Sequence, residues 1–176
     1  MSTKNEPKTV RIIYRGECPK LTPRGQGVLS YEFGLNGDEL FIRIAANSQG
    51  GTCSFEWIPL QTMESLLEDA EASFSAVIFR KAFISRSANN HGYLAAILKA
   101  VKVIGVSLDH PAKLSFLSFD SIKDQLSHLK EEDLPDLVAA ARKEREANKQ
   151  AKTVEAAIPV DKPEKKGRAK KDAATP

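Results

Sequence analysis

The side chains that could do chemistry in this sequence are mostly cations. Lysine and arginine contact the phosphates of nucleic acids, so each cluster of them is a candidate part of a polyanion-binding surface. Asn89 joins them because it lies at a predicted helix start, where free backbone amides favour a phosphate. The candidate nucleic-acid-binding residues are Arg15, Lys20, Arg24, Arg43, Arg80, Lys81, Arg86, Asn89, Lys99, Lys102, Lys165, Lys166, Arg168, Lys170 and Lys171.

The charge balance of the whole chain does not by itself indicate a nucleic acid partner. The 26 lysines and arginines are offset by 23 acidic residues, which leaves a formal net charge of +3. The acids Glu17, Glu32, Asp38 and Glu56 could neutralise the candidate cations on an ordinary protein surface. The prediction of nucleic acid binding therefore requires that folding gathers the cations on one surface.

Polar residues fill the segment 85–91, which precedes a predicted helix. A phosphate could dock at that helix start. The alternative is an ordinary capped loop in which Asn89 or Asn90 adopts a left-handed backbone. The sequence leaves both interpretations open.

Patterns typical of catalysis or metal binding are weak in this chain. The three histidines, His91, His110 and His128, are not at metal-ligand spacing, and Cys18 and Cys53 cannot form a disulfide framework. Phosphate-binding loop, dinucleotide-binding and hydrolase motifs do not occur in the sequence. We therefore predict a non-enzymatic protein that uses no cofactor and no metal.

The first half of the chain has the hydrophobic pattern of a β-meander. Alternating apolar and polar residues predict strands over 9–14, 28–35, 39–46 and 53–58, followed by a helix over 60–71. Asn36-Gly37 accepts positive φ and predicts a tight hairpin between the second and third strands. The segment 16–27, rich in glycine, proline and cations, is predicted to be a basic loop.

The same alternation assigns side chains to the two faces of the sheet. It places Tyr31, Cys53 and Trp57 on the core face, where the aromatic rings are unavailable for base stacking and the thiol is buried. It places Arg43 on the outer face of a central strand. Arg43 is therefore predicted to be one of the exposed cations.

The second half of the chain is predicted to be mainly helical. Its pattern indicates a strand over 74–85, a helix from about 90 to 104, a short strand over 113–117, and helices over 118–130 and from 133 to about 149. Pro135 is predicted to lie in the first turn of the last helix, where a proline is tolerated. The fold class is α+β: an antiparallel β-meander with packed helices, a projecting C-terminal helix and a disordered basic tail.

Composition divides the chain into four parts. Residues 1–8 are predicted to be a flexible N-terminal arm, 9–130 an α+β globular domain, 131–152 a charged C-terminal helix and 153–176 a disordered basic tail. Six cations and one acid in the segment 162–171 give it a charge of +5. The absence of a long apolar run predicts a cytoplasmic protein with no membrane partner.

These observations lead to two functional hypotheses. The first is a non-enzymatic nucleic-acid-binding accessory protein, serving transcription, replication or mobile-element maintenance through a basic sheet and loop surface plus the lysine-rich tail. The strandedness of the nucleic acid and any homo-oligomer are left open. The alternative is a protein-interaction module, such as an inhibitor or adaptor, that binds a protein partner through residues 133–149.

Overall fold

Four strands form an antiparallel sheet in which each strand pairs with the next along the chain. The computed structural model describes residues 9–21, 27–50, 52–85, 87–127 and 133–156, with the backbone alone described for 150–156. The strands of this sheet are β1 (Arg11–Pro19), β2 (Val28–Asn36), β3 (Glu39–Asn47) and β4 (Ile58–Pro59). The predicted antiparallel meander and the α+β fold class are confirmed.

Helices and a second, two-stranded sheet complete the fold. In chain order they are α1 (Leu60–Glu68), a 3-10 helix (Ala76–Ala82), α2 (Asn90–Ala100), β5 (Ile104–Val106), β6 (Leu114–Phe116), α3 (Asp120–Ser127) and α4 (Leu137–Ala156). Strand β5 pairs antiparallel with β6. Within the described ranges, none of the helices has both the length and the apolarity needed to cross a bilayer.

The chain divides into two units between Ala139 and Ala140. The first unit contains both sheets and α1, α2 and α3, and the second contains the described part of α4 from Ala140 onward. The predicted N-terminal arm (1–8) and residues 157–176 of the predicted tail lie outside the described residues.

The β2–β3 hairpin forms where the sequence predicts it. Asn36 pairs with Glu39, and Gly37 adopts a φ of +60° in the turn between them. An L side chain rarely adopts this conformation, whereas glycine does so without steric cost. The turn sets the register, and with it the side chains that face the core.

The main core lies between one face of the four-stranded sheet and the helices. The sheet contributes Leu29, Tyr31, Phe33, Ile42 and Ile44, and the helices contribute Met63, Leu94, Ile97 and Leu98, all of which are almost completely buried. Burial of each large apolar side chain contributes about 1.5–3 kcal/mol to the stability of the fold. This packing fixes the position of α2, whose first turn lies at the candidate site described below.

Strand β1 is longer than its predicted extent. It continues through Gly16 and Glu17 to Pro19, so the first part of the predicted basic loop is a strand paired with β2. Glycine at position 16 allows close approach, since a Cβ there would lie only 2.5 Å from Cζ of Tyr31. Arg24, in the remainder of that loop, lies outside the described residues.

The predicted strand over 74–85 is wrong, because most of it forms the 3-10 helix. Ser75 begins this helix by accepting hydrogen bonds from the Val77 amide at its side chain and from the Ile78 amide at its carbonyl. Only Phe74 pairs as a strand residue, through two 2.8 Å backbone hydrogen bonds with Leu114. β-Branched and aromatic residues favour strands only where a partner strand is present.

Other element boundaries also differ from their predicted positions. The predicted strand over 53–58 is reduced to Ile58–Pro59, and α1 ends at Glu68. Helix α2 ends at Ala100, after which Lys102 adopts a φ of +60° and turns the chain into β5. The last helix begins at Leu137 instead of at Asp133, so Pro135 precedes the helix and does not lie in its first turn.

Candidate nucleic-acid interface

The face of the sheet opposite the main core carries a compact cluster of ion pairs. Glu32 on β2 is fully buried and lies between Arg15 on β1 and Arg43 on β3. Its carboxylate accepts hydrogen bonds of 2.7 Å from Nε of Arg15 and 2.7 Å from Nε of Arg43. One acid therefore neutralises part of the charge of two predicted nucleic-acid-binding residues.

Residues 133–138 cover this cluster. Asp136 Oδ1 accepts a 2.7 Å hydrogen bond from Arg43, and the Pro135 carbonyl accepts one of 2.8 Å from Arg15. Leu134 pairs with Ile12 through its backbone amide at 3.0 Å. Two cations and two acids thus balance in this network, which is completed by a segment 93 residues away from Arg43 in sequence.

The pKa of Asp136 reflects its place in this network. Burial acts to raise that pKa, but hydrogen bonds from Arg43 and from the Ala139 amide lower it overall below its ordinary value. The carboxylate therefore stays ionised and keeps its ion pair with Arg43. Arg43 is only 4% exposed, so the prediction that it is an exposed cation is wrong.

Trp57 lies against this cluster and not in the main core. The guanidinium carbon of Arg43 lies 4.3 Å from the centroid of the Trp57 ring, in cation–π contact. The predicted core-face position of Trp57 is wrong, because residues 52–57 do not continue the strand ladder that the alternation assumed. Tyr31 does lie in the core, as predicted.

A cleft of about 430 Å³ opens between the 3-10 helix and the start of α2. Its described lining residues are Arg80, Phe83, Ile84, Ser85, Ser87, Ala88, Asn90 and His91. Arg80 Nε lies 3.5 Å from Nδ1 of His91, at the limit of a hydrogen bond. The cleft therefore combines a cation, an imidazole and the positive end of a helix dipole.

Hydrogen bonds from buried groups hold the walls of this cleft in place. Asn90 is 1% exposed, and its side chain accepts from the Ser54 amide and donates to Ser85 Oγ, both at 2.9 Å. The Glu56 carboxylate accepts from the Ile84 amide at 2.8 Å and from the Ser85 amide at 2.9 Å. The cleft is thus preformed, and the loop that lines it is anchored to the segment preceding β4.

Two titratable groups of this region have shifted pKa values. Burial acts to raise the pKa of Glu56, but hydrogen bonds from Ser54, Ile84 and Ser85 lower it overall, so Glu56 remains an anion. Partial burial and the adjacent charge of Arg80 lower the pKa of His91. At neutral pH His91 is therefore uncharged, and Arg80 supplies the positive charge of this pair.

A second, smaller cleft of about 210 Å³ adjoins the first. It is lined by Leu21, Ala88, Asn89, His91, Gly92 and Tyr93, so that Ala88 and His91 border both clefts. Lys20 Nζ lies 5.5 Å from the centroid of the Tyr93 ring. Among the described residues, Arg80 is thus the cation at the larger cleft and Lys20 the cation beside the smaller.

The structure brings together only some of the predicted site residues. Arg80 lines the larger cleft, Asn89 lines the smaller and Lys20 lies beside the smaller, whereas Arg15 and Arg43 lie in the ion-pair cluster. Helix α2 rises about 1.5 Å per residue, so Lys99 lies about 14 Å along its axis from Asn90. Lys102, beyond the end of α2, and Lys81, on the 3-10 helix, are exposed cations that do not line either cleft. Arg24, Arg86, Lys165, Lys166, Arg168, Lys170 and Lys171 lie outside the described residues.

Most of the residues that line the clefts were not among the predicted site residues, and His91 and Tyr93 are two examples. From the sequence, His91 is a candidate only for catalysis or metal binding, although it is the last residue of the polar segment 85–91. Tyr93 follows two positions later, in the first turn of α2. The position of these residues in or beside that polar segment is the signal that could have identified them.

Groups for redox or metal chemistry are sparse in the described chain. Burial raises the pKa of Cys18 to about 11. Burial also raises the pKa of Cys53, despite an opposing effect of Lys20. Both thiols are therefore protonated and poorly nucleophilic. Across the described ranges, no group of three histidine, cysteine or acidic side chains is placed to hold a metal ion.

Comparison with protein-family models, curated proteins and solved structures finds no match to this chain.

Proposed function

We propose that this chain is a non-enzymatic nucleic-acid-binding accessory protein that contacts its ligand at the paired clefts beside α2. The observation that supports the proposal is that three predicted nucleic-acid-binding residues border two neighbouring clefts: Arg80 lines the larger, Asn89 lines the smaller, and Lys20 lies over the Tyr93 ring of the smaller. This surface is smaller than the predicted sheet and loop surface, because Arg15 and Arg43 are neutralised by acids of the chain itself.

The electrostatics of the clefts suit a phosphate backbone. Arg80 is exposed and interacts with a neutral histidine, so its charge is available to a ligand. The first turn of α2 adds the partial positive charge of a helix N-terminus. A phosphodiester that binds there contacts these cations and releases its own counterions. This release of counterions is a main source of the affinity of proteins for nucleic acids.

The lysine-rich segment 162–171 supplies the second element of the proposed function. Its charge of +5 attracts a polyanion without sequence preference and raises the rate of encounter. In this proposal the clefts position the nucleic acid and the basic segment strengthens the complex.

The test is a titration of labelled single-stranded and duplex oligonucleotides, followed by fluorescence anisotropy, at salt concentrations from about 50 to 200 mM. Arg80→Gln is expected to weaken binding several-fold and to reduce the slope of log affinity against log salt by about 0.7–0.9. Lys99→Gln is the matched control, because it removes the same charge from the opposite end of α2. Equal effects of the two variants would exclude the clefts as the contact, and no binding at low salt would refute the proposal.

The alternative, a protein-interaction module that uses residues 133–149, receives no specific support from the described contacts. Residues 133–138 are engaged with the sheet of their own unit. Residues 140–149 are exposed and consist of charged residues, alanines and one asparagine, so they present no apolar stripe to a partner. A single protein captured by the full chain, and lost when the chain is truncated after Ala141, would favour this alternative.

A further inference from the structure

We infer that the paired clefts hold two successive unpaired nucleotides of a single strand. This inference rests on the proposed function and adds to it the strandedness of the nucleic acid. It is based on three features of the clefts: their concave shape, the apolar surface within them, and their continuity.

The first feature is shape. The larger cleft, of about 430 Å³, lies within the size range of sites that enclose a small organic ligand. A nucleotide whose base is unstacked can enter such a concavity. A duplex keeps its bases paired inside the helix and would bring only its phosphates to the rim.

The second feature is apolar surface where a base would lie. Ile84 is 61% exposed although it is apolar, and it lines the larger cleft beside Phe83. In the smaller cleft the Tyr93 ring forms part of the wall. The Tyr93 ring is partly buried against the core, so it is held in place as part of that wall. Apolar and aromatic groups next to cations are characteristic of sites where unpaired bases stack, and phosphates alone do not require them.

The third feature is continuity between the two clefts. Ala88 and His91 border both, so the two clefts are neighbours and can hold adjacent nucleotides of one strand. Arg80 at the larger cleft and Lys20 at the smaller provide one cation for each nucleotide. The neutral imidazole of His91 lies at the junction, where it can contact the bases on either side.

The test compares a short oligothymidylate, a hairpin duplex and free thymidine monophosphate as ligands of the full chain at low salt. We expect the oligothymidylate to bind most tightly. Tyr93→Leu is expected to weaken its binding about ten-fold, the typical effect of losing one stacked base. Ile84→Ser is expected to weaken it several-fold, because the base loses an apolar contact. Binding of the duplex, which does not enter the clefts, is expected to stay within about two-fold of its original affinity.

Matched controls separate stacking from general damage to the fold. Val106→Ser removes a comparably exposed apolar side chain on β5, and Tyr93→Phe keeps the ring while removing the hydroxyl group. Neither is expected to change binding of the oligothymidylate. Thermal unfolding of each variant shows whether it remains folded at the assay temperature.

The outcomes distinguish this inference from the proposed function. Equal binding of single strand and duplex, unaffected by Ile84→Ser and Tyr93→Leu, would overturn the single-strand inference and leave nucleic acid binding intact. Equal affinity for thymidine monophosphate and oligothymidylate would show that one free nucleotide fills the site, which also overturns it. No binding of any of the three ligands would refute both.

Discussion

Replacement of Glu32 by glutamine tests the ion-pair cluster on the face of the sheet opposite the main core. Glu32 is fully buried and accepts hydrogen bonds from both Arg15 and Arg43. Glutamine has nearly the same shape, so the replacement leaves no large cavity. Its amide group, however, carries no charge, and its nitrogen can only donate a hydrogen bond. One of the two guanidinium groups would therefore face another donor.

The expected cost follows from the burial of the groups left behind. Removing one partner of a buried ion pair costs about 3–5 kcal/mol, because the other charge is left without compensation. In the variant Arg43 still donates a hydrogen bond to Asp136, and Arg15 still donates one to the Pro135 carbonyl. We therefore expect a loss of stability at the low end of that range, about 3 kcal/mol. For a chain of this size that loss lowers the Tm by about 6–12 °C.

Urea denaturation at neutral pH, followed by tryptophan fluorescence, measures this cost. Trp57 is the sole tryptophan and contacts Arg43, so its emission reports directly on the cluster. Glu68→Gln, at an exposed position on α1, is the control and is expected to change the free energy of unfolding by less than about 0.5 kcal/mol. A loss below about 1 kcal/mol for Glu32→Gln would show that the cluster does not function as a buried network.

Three further predictions follow from individual residues. The pKa of Asp136 is lowered in the folded state, so its ionised carboxylate stabilises the fold at pH values above the ordinary 3.8. This stabilisation is lost as the pH falls through the folded-state pKa. Asp136→Asn is therefore expected to flatten the acid limb of a curve of stability against pH. The lowered pKa of His91 means that its imidazole gains a proton only below the ordinary value of 6.5, which adds a positive charge beside a bound phosphate. Oligonucleotide affinity is therefore expected to rise as pH falls below 6.5, and His91→Gln is expected to remove that rise in anisotropy titrations. Gly34→Ala is expected to lower the free energy of unfolding, measured by urea denaturation, by about 1–3 kcal/mol, because the added Cβ would lie 2.3 Å from a Val10 methyl group. Gly92→Ala on α2 is the control: its added Cβ meets nothing within 4 Å, so this replacement is expected to be stabilising.

The sequence alone was sufficient for features that depend on neighbouring residues. The β2–β3 hairpin was predictable because its strand alternation and its Asn36-Gly37 turn lie within 20 consecutive residues. Strand β6 and the body of α2 follow from similarly local patterns. The segment 74–85 shows the limit of such reasoning, because its strand-forming residues had a partner only at Phe74. Local preference decides structure only where long-range contacts agree with it.

The tertiary structure alone decided which cations are available to a ligand. The alternation of the strand correctly predicted that Arg43 lies on the face of the sheet opposite the main core. The burial of Arg43, however, depends on Asp136, which lies 93 residues later in the chain. Lys20 reaches its site only because the end of β1 lies beside the first turn of α2. A charge is neutralised or left free by whichever groups surround it in space, and the linear order of residues does not contain that information. The sequence therefore determined the charges and the fold class, and the packing of distant segments determined which of these charges are paired within the protein.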